Sequence, residues 1–328
     1  MFRKALLIFI KYIFPIGLGL YLCVYFFAGM SDKSKKLFLQ TIQNVDYFWI
    51  GLSLIVGIAS YYSRAHRWKY ALEPMGYVSS LQNRFYAVMI GYLVNLTIPR
   101  AGEASRAVML NRSEGVPFTT GFGTIISERI VDIIILLFIT IVTFIIGRED
   151  FVQIKDIIEN YFGPKEETSS LIILIAVTCI LISFFVLYFL KSLKEKVFAV
   201  LMSLVQSALS IFKTQNPIGY ILHSLFIWIC FLVMFALPFY SLESTKNLPL
   251  TCVLLSFIAG SVGISLTNGG LGSYPLLVGL VIAYYLKELP NEEAFAIGNA
   301  LGLIIWASQT ALLIIVGLIS WILIPKKS

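Results

Sequence analysis

Residues 91–132 read GYLVNLTIPRAGEASRAVMLNRSEGVPFTTGFGTIISERIVD, and set Asn95, Arg100, Glu103, Arg106, Glu128, Arg129 and Asp132 into an apolar surround. Pro99 and Gly102 interrupt the apolar run where one straight helix would otherwise continue, since proline lacks an amide donor and glycine is costly in a helix interior. A helix restarting after the break carries Glu103 and Arg106 three residues apart on one face. On the next helix Glu128 and Asp132 are four apart, with Arg129 beside them.

The surround is a lipid bilayer. Of 328 residues, 58% are hydrophobic and 13% charged, and the mean hydropathy is +0.86, whereas soluble chains run near 25% charged. The formal charge of +7 matters less than where the cations sit. Cys23, Cys179, Cys230 and Cys252 all lie inside apolar runs, and His66 and His223 are isolated in the sequence. Neither a disulfide framework nor a metal or haem site is expected, and no cofactor is implied. Arg3 and Lys4 precede an apolar run to Met30 that is too long for a signal-peptide core, so it reads as a retained helix.

Six stretches are apolar enough to cross a bilayer as helices, roughly 5–30, 47–62, 117–147, 170–190, 218–240 and 294–325. Two more, 85–109 and 250–286, are broken in their middles at 99–105 and 268–275. Lysine and arginine favour cytoplasmic loops. Starting the N-terminus inside puts Arg64, Arg67, Lys69 and Arg84 in one inner loop, Lys191, Lys194, Lys196 and Lys213 in another, and Lys326 and Lys327 on an inner tail. That gives 12 inner cations against 8 outer ones, and it holds only if both broken stretches enter and leave on the same side.

The expected fold is therefore an all-α integral membrane protein of six full transmembrane helices plus two re-entrant broken-helix hairpins. It forms a single polytopic domain, 1–328, with no soluble catalytic domain. One hairpin opens inward and the other outward, so residues of about 1–148 and 169–328 read as inverted-topology repeats, an arrangement that places a substrate site near the midplane. The connectors at 149–167 and 192–216 mix apolar and charged residues, with an interfacial helix expected at 197–211.

Each intramembrane ionisable group costs about 2.5–3.5 kcal/mol at a helix centre unless it has a partner or a watery cavity. Two readings of the first cluster stay open. It is either a buried ion-pair network tying the hairpin to the following helix, or a headgroup site in which Arg100, Arg106 and Arg129 take phosphate while Glu103, Glu128 and Asp132 take an amine or a proton. The second break, SLTNGGLGSYP at 265–275, contributes Asn268, Gly269, Gly270, Gly272, Ser273 and Tyr274. Its glycines either offer backbone amides to an anionic headgroup or simply make the hairpin turn. Gly298 and Gly302 form a G-x-x-x-G pair suited to helix packing, while Trp306, Gln309 and Thr310 are candidates to face a cavity. His66, Arg64, Arg67 and Trp68 read as an interfacial anchor and His223 as a bundle histidine. The aromatic excess is that of membrane belts, so no nucleic-acid partner is expected.

The run N-L-T-I-P-R-A-G-E-A-S-R from Asn95 to Arg106, the run S-E-R-I-V-D from Ser127 to Asp132, and the glycine-rich break at Gly269 to Gly272 together resemble the lysylphosphatidylglycerol synthase transmembrane, or flippase-like, family. By that resemblance Asn95, Pro99, Arg100, Gly102, Glu103 and Arg106 match the first motif, and Glu128, Arg129 and Asp132 the second. In bacterial multiple peptide resistance factors this domain is fused to a cytosolic aminoacyl transferase and moves aminoacylated phosphatidylglycerol across the inner membrane. The resemblance implies a lipid flippase of the bacterial inner membrane with cytoplasmic termini and, without the transferase, no enzyme activity. Tyr274 stands near where the family's break tends to carry an acidic residue, which points away from a lysylated substrate. The implied partners are membrane lipids, whether phospholipid, glycolipid or polyprenyl carrier. A separately encoded lipid-modifying enzyme and self-association remain open, as do two competing roles: non-transporting partner of a synthase, and enzyme acting on a lipid phosphate.

Overall fold

The computed structural model describes residues 14–98, 100–150, 153, 214 and 216–325. The helices expected at 170–190 and 197–211, most of the two connectors, and the start of the first apolar run lie outside the described residues. Among the described residues there are ten α-helices and no strand. They are α1 (Phe14–Gly29), α2 (Asp32–Gln43), α3 (Tyr47–Leu72), α4 (Leu81–Thr97), α5 (Gly102–Glu114), α6 (Phe118–Ile146), α7 (Pro217–Ala236), α8 (Leu250–Leu266), α9 (Ser273–Tyr285) and α10 (Asn291–Leu323).

Three of these are long and apolar enough to cross a membrane alone: α6, α7 with its 3-10 extension to Ser241, and α10. A fourth candidate is the pair α2 and α3, bent by 66° at residues 44–46. The described residues thus give a multi-pass membrane protein, though not six straight spans. The expected span 47–62 differs most. Nothing between Tyr62 and Pro74 breaks a helix, so α3 continues through Arg64 and Arg67 to Leu72, and both arginines are buried.

Short polar residues set the helix starts. The Ser31 hydroxyl accepts from the Ser34 amide, Asp46 from Phe48, Ser80 from Asn83 and Asn216 from Gly219, which satisfies donors the first turn leaves free. At the far end of α5 the Glu114 carboxylate accepts from the Ser80 amide, the Ser80 hydroxyl and the Asn83 amide group at 2.7–2.9 Å. It ties the end of α5 to the start of α4 and closes the base of the first hairpin.

Both broken stretches are hairpins with matching legs: 17 and 13 residues in α4 and α5, and again 17 and 13 in α8 and α9. At 1.5 Å per residue these legs are about 25 and 20 Å long, too short for a comfortable crossing. Lipid gives no hydrophobic drive for helices to associate, so close backbone approach must supply the packing. In the first hairpin Gly102 lies directly against the Gly91 carbonyl, and a Cβ there would also meet the Asn95 side chain at 2.5 Å. In the second, Gly269, Gly270 and Gly272 all take positive φ, which L side chains rarely adopt. Their role in the turn is therefore conformational.

The 33-residue α10 organises the two hairpins. Its first half packs on α9, with Gly298 against the Gly279 carbonyl and Gly302 against that of Pro275, so the G-x-x-x-G pair serves packing. Its second half packs on α4, where Gly317 meets Leu93 and Met89. Midway between, the Trp306 indole donates to the Gly269 carbonyl at 2.7 Å. The hairpins therefore approach along α10 from opposite ends and meet tip to tip. At the junction the Asn268 amide donates to the carbonyls of Leu96 and Thr97 at 3.1 and 3.4 Å.

A side chain at position 102 should open the first hairpin. Gly102→Val is expected to destabilise by at least the 1–3 kcal/mol typical of overpacking, roughly. Gly123→Ala, in a helix position with nothing within 4 Å, should leave stability within about 1 kcal/mol. Thermal unfolding in detergent followed by size-exclusion chromatography checks the contrast.

Candidate functional site

Three helices, α3, α5 and α6, and the tip of the first hairpin bring charged side chains together beside the hairpin junction. The inner layer is buried. Arg64 and Arg67 of α3 both reach Asp132 of α6, through guanidinium nitrogens at 2.8 and 2.9 Å from its two oxygens. Arg67 also donates to the Ser224 hydroxyl of α7 at 3.0 Å and stands 3.7 Å from Glu128. Arg106 of α5 holds Glu128 with both terminal nitrogens, at 2.8 and 3.3 Å. Its guanidinium lies 3.7 Å over the Trp68 ring, and the Trp68 indole is fixed by Thr124 at 2.9 Å. Such forked, ring-stacked geometry is what guanidinium supplies and ammonium does not.

The outer layer is more exposed. Arg129 pairs with Glu103 at 2.8 Å and stands 3.7 Å from Asp132, with 37% of its side chain accessible. Arg100 sits on the tip of the first hairpin at φ +63 and makes no ion pair or hydrogen bond among the described residues. The Asn95 side-chain oxygen accepts from the Gly102 amide at 2.7 Å and so caps the start of α5.

Beside this layer lies a cavity of about 820 Å³, within the range of small-ligand sites. Arg100, Glu103 and Arg129 line one side with Asn95, and Asn268 and Gly269 of the second tip complete the junction wall. Aromatic rings of Tyr61, Trp228, Phe231, Phe235, Phe257 and Trp306 line the cavity as well. Gln309 and Thr310 also line it. The Asn268 side-chain oxygen is buried without a hydrogen-bond partner among the described residues.

The residues expected from the sequence thus separate. Asn95, Arg100, Glu103, Arg129, Asn268, Gly269 and Tyr274 line the cavity, whereas Arg106, Glu128 and Asp132 stand behind it in the ion network. Gly270, Gly272 and Ser273 build the second turn, where the Ser273 hydroxyl bonds Thr267 at 2.6 Å and the Gly263 carbonyl at 2.7 Å. Arg64 and Arg67, expected in a cytoplasmic loop, are instead the centre of the network. Arg84 is buried too, bonded to the Ala65 and Ser79 carbonyls. Removing these three from the inner loops leaves nine cations against eight, so the charge argument for orientation largely vanishes. The two histidines, far apart in sequence, stack at 4.6 Å, with the Ser63 hydroxyl 2.8 Å from His223. The unbroken helical run from Tyr47 to Leu72 was the available signal for Arg64 and Arg67.

Asp132→Asn should be far more damaging than Glu103→Gln. The first leaves two buried guanidiniums short of a counter-charge, a loss of about 3–5 kcal/mol. The second removes a partly exposed pair that contributes at most about 1 kcal/mol. Melting of the two purified variants against the parent protein measures the difference.

The family described as "Lysylphosphatidylglycerol synthase TM region" matches residues 12–317. The UPF0104 membrane protein MJ1595 of Methanocaldococcus jannaschii is 30% identical over 148 residues, which cover 44% of this chain and 40% of that protein. The aligned part is thus well under half of that relative. No solved structure matches the chain. With a family match running over nearly the whole length, and with both polar motifs gathered at one junction, the chain belongs to the lysylphosphatidylglycerol synthase transmembrane family.

Proposed function

We propose that this protein is a lipid transporter: a phospholipid or related anionic or zwitterionic headgroup crosses the membrane through the cavity at the hairpin junction. The observation that carries this reading is the mixed lining of the cavity, in which guanidinium and carboxylate groups stand together with aromatic rings. A lipid presents that same pair of chemistries. Arg100 and Arg129 would hold the headgroup phosphate, because both line the cavity and guanidinium binds phosphate through paired N–H donors. Arg64, Arg67, Arg106, Glu128 and Asp132 would hold the first hairpin in place against α3 and α6.

The matching leg lengths of the hairpins and their tip-to-tip meeting along α10 support an inverted repeat, in which exposure to one side alternates with exposure to the other as one hairpin moves against its neighbour. The location that goes with this role is the inner membrane with both termini cytoplasmic, by likeness to the family. No nucleophile with an adjacent base lines the cavity among the described residues, so the lipid would cross chemically unchanged.

Purified protein in liposomes should accelerate translocation of at least one of fluorescent phosphatidylglycerol, phosphatidylethanolamine and a polyprenyl phosphate. Arg100→Ala should slow it by about tenfold, the loss of one charge-assisted phosphate contact. Thin-layer chromatography should recover the lipid unaltered. Rates equal to those of protein-free liposomes for all three lipids would overturn the proposal, and a changed lipid would replace it with an enzyme.

A further inference from the structure

Among the described residues, the charges at and behind the cavity do not cancel. Arg64, Arg67, Arg100, Arg106 and Arg129 face Glu103, Glu128 and Asp132, an excess of two positive charges. Of the cavity-lining cations, Arg100 has no partner among the described residues, and Arg129 is held by a carboxylate that itself lines the cavity. Arg129 would not be stranded if Glu103 left, because Asp132 stands 3.7 Å away on the same helix.

A second observation points the same way. Arg64, Asn95, Glu103, Arg106 and Arg129 surround a void of about 10 Å³ next to the cavity, about one water-sized probe sphere. Arg64 and Arg106 are nearly fully buried, and each has an Nε without a hydrogen-bond partner. The void is thus bordered by three arginines and one carboxylate, Glu103. Arg100 adds backbone strain: its φ of +63 is one that a non-glycine residue adopts at a cost.

Building on the transport reading, we infer that Glu103 is a built-in placeholder for a phosphate. A phosphomonoester headgroup without a compensating amine docks between Arg100 and Arg129 and displaces the Glu103 carboxylate from Arg129. Exchanging one anion for another leaves Arg129 paired throughout, so its desolvation does not oppose the exchange. The charge of such a headgroup, about −1.5 to −2 at neutral pH, matches the surplus of two. A zwitterionic headgroup leaves that surplus largely uncancelled, and a lysylated one increases it.

The test is binding, measured separately from transport. The purified full chain in nanodiscs is titrated with phosphatidic acid, phosphatidylcholine, lysylphosphatidylglycerol and, as the water-soluble form of the same group, glycerol phosphate. Phosphatidic acid should bind about tenfold or more tightly over both the zwitterionic and the lysylated lipid. Glu103→Gln should tighten phosphatidic acid binding by about threefold to tenfold, because the competitor is gone, and Arg100→Gln should weaken it by about tenfold. A merely structural Glu103 would give unchanged or weaker binding on substitution, which would overturn the inference. Preference for the lysylated lipid would overturn it too, while leaving lipid transport standing. The expected affinity order in a protein that translocates nothing would uphold the anion site and sink the transport reading. Glycerol phosphate binding as tightly as phosphatidic acid would likewise uphold the site and assign it to a soluble anion.

Discussion

A helix that stops at membrane depth leaves the carbonyls of its last turn without partners, and hydrocarbon offers none. The α4 helix ends at Thr97, and the amide of Asn268 donates to the carbonyls of Leu96 and Thr97. That contact joins the tips of the two hairpins, and the polar junction it creates is what lets a cavity exist there. Asn95 makes the matching arrangement on the other side of the first break by capping α5. Trp306 then anchors the second tip to the middle of α10. The irregular backbone is thereby satisfied by side chains from both hairpins and from the helix that both share.

The buried ion network answers a different problem. Two carboxylates on adjacent turns of α6 would be costly in a membrane core without counter-charge. Three arginines from α3 and α5 provide it, each positioned by further contacts: Ser224 and the Tyr220 ring on Arg67, the Phe231 ring near Arg64, the Trp68 ring under Arg106. The network spans four helices, so it also fixes how the first hairpin leans on the rest of the bundle. Of the two readings the sequence left open, the structural one describes Arg106, Glu128 and Asp132. Arg100, Glu103 and Arg129 line the cavity instead.

Much of this was legible in the residues. Pro99, Gly102 and the glycines at 269–272 are strong breakers inside apolar runs, so both hairpins could be placed to within a few residues. The family resemblance rested on the same motifs and holds over residues 12–317. What could not be read was partnership. A cation following an apolar run looks the same whether it anchors at an interface or reaches a carboxylate more than sixty residues away, and Arg64 and Arg67 were placed on the wrong side of that choice. The division between the exposed pair Glu103 with Arg129 and the buried pair Glu128 with Arg106 was invisible for the same reason. Helical spacing put Glu103 and Arg106 on one face, and tertiary packing gave each a different partner. The exact set of spans was illegible because hydropathy does not show that α2 and α3 bend by 66°.

The glycine contacts along α10 govern how the protein can deform. Gly298 and Gly302 press against carbonyls of α9 so closely that a shift of α10 by one residue would bring Asn299 or Leu303 onto a backbone with no room for them. Sliding and axial rotation between those helices are therefore blocked, and α9 with the first half of α10 behaves as one stiff beam. On the opposite half Gly317 makes the close approach, against the side chain of Leu93 and the Met89 carbonyl. Any movement of the second hairpin must then carry the first half of α10 with it, since the two share the backbone contacts at Gly298 and Gly302.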